Sequence, residues 1–150
     1  MFLSQTAEYA IRAMSAIATL PPGTLVRASD LGKATGIPPS YLSKVLRRLV
    51  LAELLVSQKG KNGGFALSRP AESVRFIEIL SAINAFPPEG RCAFGWGLCE
   101  ELKPCPLHEP WRRLKDRVQA WANDTTLAEV ADAAKVDQRF QLPFGTTSND

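Results

Sequence analysis

The sequence predicts a mainly α-helical fold with one small β-hairpin, arranged as a winged helix-turn-helix plus a long helix near the C-terminus. Three observations predict it. Apolar residues recur at helical spacing in three segments between residues 4 and 51. Two short runs, LLVSQ (54–58) and GFALS (64–68), flank the turn-forming segment KGKNG. A longer helical stripe lies at 109–122. The length of 150 residues fits one compact domain.

The first three helices are bounded by capping and breaking signals. The first spans 4–20, and Ser4 can cap its start. The second spans 28–35 and ends at Gly36. Pro39 lies at the start of the third helix, where the fixed φ of proline is tolerated. Apolar residues at three- and four-residue spacing predict the buried stripe of the third helix: Leu42, Val45, Leu46 and Leu49.

The hairpin at 54–68 is followed by further helices. One is predicted near 74–85, with Ile77, Leu80 and Ile83 facing inward, and the long helix follows at 109–122. Thr126 and Glu129 have the spacing of a capping box for a last short helix. We therefore expect four regions in one compact domain: a winged helix-turn-helix at 1–86, a cysteine-rich loop at 87–108, the long and last helices at 109–135, and a disordered tail at 136–150.

Charge is distributed unevenly along the chain. Residues 1–69 hold nine Lys/Arg against three acids, a net charge of +6, whereas residues 70–150 hold nine against twelve, a net charge of −3. A basic N-terminal half indicates a polyanionic partner, and nucleic acid is the first candidate. Ordinary solvated surface is the alternative.

The third helix and the hairpin tip are predicted to contact double-stranded DNA. Polar and basic residues lie opposite the buried leucines of the helix, where arginine can bind guanine edges and lysine can bind phosphate. The tip of the hairpin adds further cations. The joint pattern favours DNA over solvated surface, and the candidate contacts are Ser40, Tyr41, Ser43, Lys44, Arg47, Arg48, Lys59, Lys61 and Asn62.

All three cysteines and the only histidine lie within residues 92–108. The spacing is Cys92-x6-Cys99-x5-Cys105-x2-His108. Structural zinc sites usually pair cysteines through two to four residues, so these wider gaps favour an iron–sulfur cluster, which cysteine thiolates hold. A zinc site and three inert buried thiols remain as alternatives.

A cluster held by three cysteines needs a fourth ligand, and the sequence offers two candidates. His108 follows Cys105 closely and is favoured by local spacing. Glu8 is the competitor, although Glu8 and Arg12 lie four residues apart on the first helix and could simply form an ion pair.

Several classes of protein are not expected. The N-terminus lacks a basic signal-peptide region, and no run approaches the roughly 18 apolar residues of a membrane span. We therefore expect a cytoplasmic protein with no membrane partner, whose cysteines bind metal or react with oxidants rather than form disulfides. The sequence contains no nucleophile–base pair and no phosphate-cradling loop, so neither an enzymatic activity nor a small-molecule substrate is expected. A redox enzyme or cluster carrier is the less favoured alternative.

From residue 1 to about residue 134 the chain resembles the bacterial iron–sulfur winged-helix regulator family that includes IscR and NsrR. The resemblance rests on TAEYAIRAM in the first helix, TGIPPSYLSKVLRRLVLAELL in the recognition segment, GKNGGFALSRP in the wing, and C-x6-C-x5-C. The first cysteine gap departs from the family pattern, because it has six residues instead of five.

The resemblance implies a homodimer joined by the long helix, with a dimer seam at Trp111, Leu114, Val118 and Trp121. By spacing alone, that stripe could equally be core within one chain. In relatives of NsrR a carboxylate matching Glu8 completes the cluster from the partner subunit, and in relatives of IscR a histidine matching His108 does so within the subunit. This chain carries both residues, so the fourth ligand and the nuclearity, 2Fe–2S or 4Fe–4S, stay open.

The function that the resemblance implies is transcription regulation, in most members repression. Operator affinity would be controlled by a cluster that senses redox state, nitric oxide, oxygen or iron supply. The alternative is a winged-helix regulator with zinc or with thiols that react directly with oxidants.

Overall fold

Over residues 3–86, 90–99 and 102–138, which the computed structural model describes, the chain forms six α-helices, one 3₁₀ turn and one β-hairpin. The elements in chain order are α1 (Gln5–Ala18), α2 (Ala28–Thr35), α3 (Pro39–Leu51), β1 (Leu55–Gln58), β2 (Gly64–Leu67), the 3₁₀ turn (Ala71–Ser73), α4 (Phe76–Ala82), α5 (His108–Asp124) and α6 (Leu127–Ala134). The mainly helical fold with a two-stranded hairpin, predicted from the sequence, is confirmed.

The residues predicted to cap or begin the helices do so in the structure. The Ser4 side chain accepts a hydrogen bond of 3.2 Å from the backbone N–H of Ala7, which satisfies one free donor at the start of α1. Gly36 ends α2 with a φ of 69°, a left-handed conformation that glycine adopts without steric cost. Pro39 is the first residue of α3. Thr126 and Glu129 form the capping box of α6.

The core is built around α1, which packs against α2, α3, α4 and α6. Alanines fill much of its buried surface, and their small side chains let the neighbouring helices approach closely. Met14 and Ile17 of α1 and larger apolar side chains of the surrounding elements complete the core, and each such side chain contributes roughly 1.5–3 kcal/mol when fully buried. Those buried almost completely include Leu31, Leu42, Leu46, Leu49, Leu54, Ile79, Leu80 and Leu127.

The hairpin pairs β1 and β2 antiparallel, with Leu55 opposite Leu67 and Gln58 opposite Gly64. Val26, just before α2, adds a third short pairing to the outer side of β2. Its N–H donates to the Phe65 carbonyl at 2.9 Å, and the Phe65 N–H donates back at 2.8 Å. The backbones approach so closely that a Cβ at Gly64 would lie 2.5 Å from the Val26 carbonyl oxygen. The wing is therefore attached to the segment that leads into the second helix.

Several details differ from the sequence-based expectations. The fourth helix is shorter than 74–85, because a 3₁₀ turn precedes it and Asn84 adopts a positive φ of 55° after it. The long helix begins at His108 instead of 109 and ends at Asp124, so His108 belongs to the helix and not to the loop. The pairing of Val26 was not predicted. Most of the tail at 136–150 lies outside the described residues, which end at 138.

The expected alternative role of Glu8 as an ion-pair partner of Arg12 is wrong for this structure. The guanidinium of Arg12 donates to the Thr35 carbonyl at 3.2 Å and lies 5.6 Å from the centre of the Tyr9 ring. Glu8 and Arg12 both lie within the described residues, and no ion pair joins them. Within the described segments, no helix has the length and apolar character needed to cross a bilayer.

Candidate DNA-binding surface and cysteine site

The nine residues predicted to contact DNA are all exposed. Six lie on α3, because the helix turns Leu42, Val45, Leu46 and Leu49 into the core and leaves the opposite side to solvent. Three lie at the tip of the hairpin. The first group is Ser40, Tyr41, Ser43, Lys44, Arg47 and Arg48, and the second is Lys59, Lys61 and Asn62.

Contacts within the protein divide the α3 residues into distinct roles. Tyr41 packs edge-on against Tyr9 with ring centres 5.9 Å apart, which fixes its ring over α1. The Ser43 hydroxyl donates to the Pro39 carbonyl at 2.9 Å, so its oxygen is left to accept from a partner. Lys44 and Arg47 form no ion pair with any described residue, and both are free to meet phosphate or base edges.

Arg48 differs from its neighbours on α3. Its Nη1 donates to the Ile83 carbonyl at 3.1 Å, across 35 positions of sequence. Ile83 is the residue that ends α4, where carbonyl groups lack helical partners. A cation is favourable at the C-terminal end of a helix. The structure therefore directs this guanidinium to another helix of the same chain.

Arg27 is a candidate that the sequence analysis missed. Its guanidinium donates to the carbonyl of Lys61 at the hairpin tip. Together with the Val26–Phe65 pairing, this bond holds the wing against the start of α2. No local pattern could have identified Arg27, because the contact joins residues 34 positions apart.

The three cysteines and His108 line a single cavity of about 220 Å³. The Sγ atoms of Cys92 and Cys105 lie 3.8 Å apart. Two turns fold the loop: the Cys92 N–H donates to the Gly97 carbonyl at 3.0 Å, and the His108 N–H donates to the Cys105 carbonyl at 2.9 Å. The other lining residues are Trp96, Leu98 and Lys103.

The thiols have different electrostatic environments. Donation from the backbone N–H of Phe94 lowers the pKa of Cys92, and the Cys105 thiol and the Trp96 N–H add to this lowering against the opposing effect of burial. Burial raises the pKa of Cys99, and the negative charge of a Cys92 thiolate raises it further. Cys92 is therefore more readily deprotonated than Cys99 to become a ligand.

His108 presents an unsatisfied nitrogen at this site. Its Nδ1 is buried, and no described residue forms a hydrogen bond with it. The imidazole also lines a second cavity of about 170 Å³, shared with Cys99 and Trp111 and with the two cations Arg112 and Lys115. A buried nitrogen without a partner is costly in an apolar setting and is a natural ligand for a metal centre.

The donor types at the cavity, thiols and an imidazole, are those that hold either an iron–sulfur cluster or a zinc ion. Within the described residues, no group of three or more His, Cys, Asp or Glu side chains could hold a metal ion. A zinc ion needs its donors about 2.0–2.3 Å from one point. The three cysteines and His108 line a cavity of about 220 Å³, and cysteine thiolates are also the usual ligands of iron–sulfur clusters. Glu8, half-buried on α1, is not among the residues that line this cavity.

The predicted seam on α5 is only partly covered within the chain. Leu114 and Trp121 are 43% and 42% exposed, and Trp111 and Val118 are half-buried. Trp111 donates from Nε1 to the Arg91 carbonyl at 3.1 Å, next to Cys92. Trp121 packs edge-on against Phe76 with ring centres 5.7 Å apart. This stripe is therefore not core within one chain.

Comparison with known proteins agrees with this geometry. Rv1287, a provisionally assigned HTH-type transcriptional regulator of Mycobacterium tuberculosis, is 36% identical over 143 residues, which cover 95% of this chain and 88% of Rv1287. The HTH-type transcriptional regulator IscR of Escherichia coli is 32% identical over 136 residues, covering 91% of this chain and 83% of IscR.

Solved structures with the same fold include CymR, described as the global cysteine regulator of B. subtilis. It has a TM-score of 0.73 at 20% identity and covers 87% of this chain and 95% of its own. The family profile described as Rrf2, iron-dependent transcriptional regulator, matches residues 3–133. Its members regulate transcription and are not enzymes. The chain belongs to the Rrf2 family of DNA-binding transcriptional regulators.

Proposed function

We propose that this Rrf2-family regulator is a cytoplasmic homodimeric repressor whose operator affinity is controlled by an iron–sulfur cluster bound to Cys92, Cys99, Cys105 and His108. One observation carries the proposal: three thiols and a buried, unpartnered histidine nitrogen line the same cavity. The reducing cytoplasm would keep these thiols available as ligands. When bound, the cluster supplies sensitivity to redox state, nitric oxide, oxygen or iron supply.

The DNA-binding part of the proposal rests on residues 1–86. The free cations Lys44 and Arg47 project from α3 toward a major groove, and Lys59 and Lys61 project from the wing toward backbone phosphate. Ser40, Tyr41, Ser43 and Asn62 are the polar residues that would read base edges or position the helix.

In this proposal the cluster-binding region is 87–108, which consists of the cysteine loop and of His108 at the start of α5, and residues 109–135 are the dimerisation region. The Trp111 indole donates to the Arg91 carbonyl and so links the segment 90–99 to the start of α5. Binding of the cysteines to the cluster would add a second restraint on this segment. Release of the thiols removes that restraint. A change of a few kcal/mol between two dimer arrangements shifts operator occupancy by orders of magnitude.

His108 is the favoured fourth ligand, since it lines the cavity of the three cysteines within one chain and its Nδ1 is buried without a partner. Glu8 from the partner subunit is the competing candidate. Nuclearity, 2Fe–2S or 4Fe–4S, would follow from the same experiment.

Anaerobic purification of the wild type beside His108→Ala and Glu8→Ala tests the cluster. We expect a coloured wild-type protein with bound iron and acid-labile sulfide, an altered visible and paramagnetic signal in His108→Ala, and a wild-type signal in Glu8→Ala. A colourless protein with stoichiometric zinc would contradict the proposal. The reverse response of the two variants would assign the ligand to Glu8.

The DNA surface is tested with a duplex that the wild type selects from a random library. Lys44→Ala and Arg47→Ala should weaken binding, and each lost phosphate contact should reduce the slope of log K against log salt by about one. Arg117→Ala, on the exposed side of α5, is the matched control and should leave the slope unchanged. Equal binding by all three variants would place the DNA contacts elsewhere.

Direct thiol sensing is a second candidate, favoured by the 3.8 Å separation of the Cys92 and Cys105 sulfurs. Oxidation would form one S–S bond and remove two protons and two electrons, which an oxidant such as peroxide accepts. Mass spectrometry of iron-free protein after peroxide treatment distinguishes direct thiol sensing from sensing through a cluster. Loss of two hydrogens with loss of operator binding would support this candidate.

A further inference from the structure

Arg48 lies on the proposed DNA-binding helix but makes its hydrogen bond within the protein. It belongs to the last turn of α3, and its Nη1 reaches the Ile83 carbonyl at 3.1 Å. The bond satisfies one of the free carbonyls at the end of α4, and the arginine charge stabilises the negative end of that helix dipole. A lysine could provide the charge, whereas the planar guanidinium also fixes direction.

The position of Ile83 gives this bond a second consequence. Its side chain is buried, and the chain turns sharply after it through Asn84, which has a φ of 55°. The Ala85 N–H donates to the Leu80 carbonyl at 2.9 Å and completes the turn. Only six residues separate Ile83 from Gly90, where the cysteine segment begins. Arg48 therefore joins the end of α3 to the point where the chain leaves for the cysteines.

The fourth helix also contacts both functional halves. It packs against α3 on one side and α5 on another, and its Phe76 meets Trp121 of α5. Any displacement of its C-terminal end is passed to α3 through the Arg48 bond as well as through apolar packing. Apolar contacts tolerate sliding, but a charged hydrogen bond is directional.

We propose that Arg48 is a positioning residue that couples the cysteine segment to the recognition helix through the Ile83 carbonyl, and not a DNA contact. The coupling part rests on the proposed cluster-controlled function. Its test therefore has one measurement that depends on the cluster and two that do not.

The experiment uses full-length, anaerobically prepared protein in cluster-loaded and chelator-stripped forms, with the selected duplex described above. For Arg48→Met we expect the ratio of the loaded and stripped affinities to move toward one by at least about threefold, with an unchanged salt slope. For Arg47→Met, the adjacent control, we expect a slope lower by about two, one for each subunit of the proposed dimer, and an unchanged ratio. Arg48→Lys should restore part of the ratio, and it serves as the folded variant if Arg48→Met is unstable.

Hydrogen exchange supplies the third measurement. Arg48→Met should raise amide exchange at the last turn of α3 and at Ala85 relative to Arg47→Met, because the bond between the two helix ends is gone. A merely structural role would lower both affinities equally and leave their ratio unchanged, which would overturn the coupling.

The remaining outcomes of these measurements also support or overturn the role of Arg48. A salt slope lowered by about two in Arg48→Met, one for each subunit, would overturn the inference and make Arg48 a phosphate contact. Equal wild-type affinities in the loaded and stripped forms would remove the proposed function and the coupling with it. In that case an unchanged slope with faster exchange would still support Arg48 as a positioning residue, and unchanged exchange would overturn it.

Discussion

Two buried side-chain atoms, Ser15 Oγ and His108 Nδ1, have no hydrogen-bond partner within the described residues. The surroundings of the two atoms differ, because a ligand can reach one of them and not the other. His108 lines a cavity with three thiols, where a ligand can satisfy its nitrogen. Ser15 is 1% exposed on α1, in a helix whose neighbouring residues 13–18 are all buried. An unsatisfied hydroxyl in a core lowers stability and has no ligand to justify it.

Ser15→Ala should therefore stabilise the protein by about 1 kcal/mol, because it removes the buried hydroxyl and suits a helix better. Thermal unfolding should shift upward by roughly 3 °C. Ser81→Ala, at an exposed position on α4, is the matched control and should show only the small gain in helix propensity. A loss of stability in Ser15→Ala that Ser81→Ala does not share would mean that the hydroxyl has a stabilising partner.

At the scale of single residues, the sequence predicted burial better than it predicted polar contacts. The α3 stripe of Leu42, Val45, Leu46 and Leu49 is buried as expected, since helical periodicity is a local property. The bond from Arg48 to Ile83 could not be predicted, because helix periodicity shows that a side chain is exposed and not which distant carbonyl it meets. The same limit applied to Arg12, whose partner proved to be Thr35.

Among the elements, the wing depends most on contacts that are distant in sequence. Its two strands were predicted from β-rich runs and a glycine-containing turn. The pairing of Val26 with β2 was not predicted, because a single paired residue leaves no periodic signal in the sequence. The long helix begins at His108, one residue before the predicted 109, because the apolar stripe that predicts it starts only at Trp111.

Arg27→Ala should loosen the wing and weaken operator binding by roughly 3–10-fold, as the lost bond to the Lys61 carbonyl is worth about 1 kcal/mol. Arg27→Lys should restore little, because the geometry uses a guanidinium. Amide exchange across residues 59–64 measures the loosening. Faster exchange with unaltered DNA affinity would show that a fixed wing is unnecessary for binding.

Glu78 links the start of α4 to the segment before it. Its Oε2 accepts from the Arg75 N–H at 2.9 Å, and its Oε1 pairs with Arg69. Burial raises the pKa of Glu78, but the Arg75 N–H and the Arg69 guanidinium outweigh it and hold the pKa below its ordinary value of 4.5. The stabilisation is therefore complete above that value and is lost as pH falls through the lowered pKa.

Glu78→Gln should lower the free energy of unfolding by about 1 kcal/mol at pH 7, a value limited by solvent screening of a partly exposed pair. The difference from wild type should shrink as the pH falls below 4.5. Urea unfolding at several pH values measures it, with the exposed Glu72→Gln as control. A difference that is constant across this range would assign the effect to packing rather than to charge.

For the whole molecule, the exposed apolar stripe on α5 favours association of two chains. Leu114 and Trp121 keep 43% and 42% of their surface in solvent, on a helix that contacts only α4 extensively among the described elements. A cavity of about 370 Å³ between Phe94 and Trp111 extends the same apolar surface to Cys92. The sequence predicted this stripe but left open whether it packs within one chain, since periodicity is the same in both cases.

Leu114→Glu should convert a dimer into monomers, because it places a charge at the centre of the apolar contact. Operator affinity should fall steeply as well, since each monomer reaches only one half-site. Sedimentation velocity checks the mass, and Gln119→Glu, exposed on the same helix, controls for added charge. A Leu114→Glu protein that sediments as the wild-type dimer would place the interface elsewhere.

The distribution of tryptophan adds a practical consequence. All three indoles, Trp96, Trp111 and Trp121, lie between residues 90 and 124, and residues 1–86 contain none. Trp96 lines the cysteine cavity, and the Trp111 indole donates a hydrogen bond to the carbonyl of Arg91, the residue before Cys92. Tryptophan emission of the unlabelled protein, excited at wavelengths where Tyr9 and Tyr41 do not absorb, therefore originates entirely from the cysteine-proximal half. A light-absorbing iron centre would quench it by energy transfer, so the tryptophan emission intensity reports occupancy of the centre, and the groove-facing half contributes no tryptophan signal.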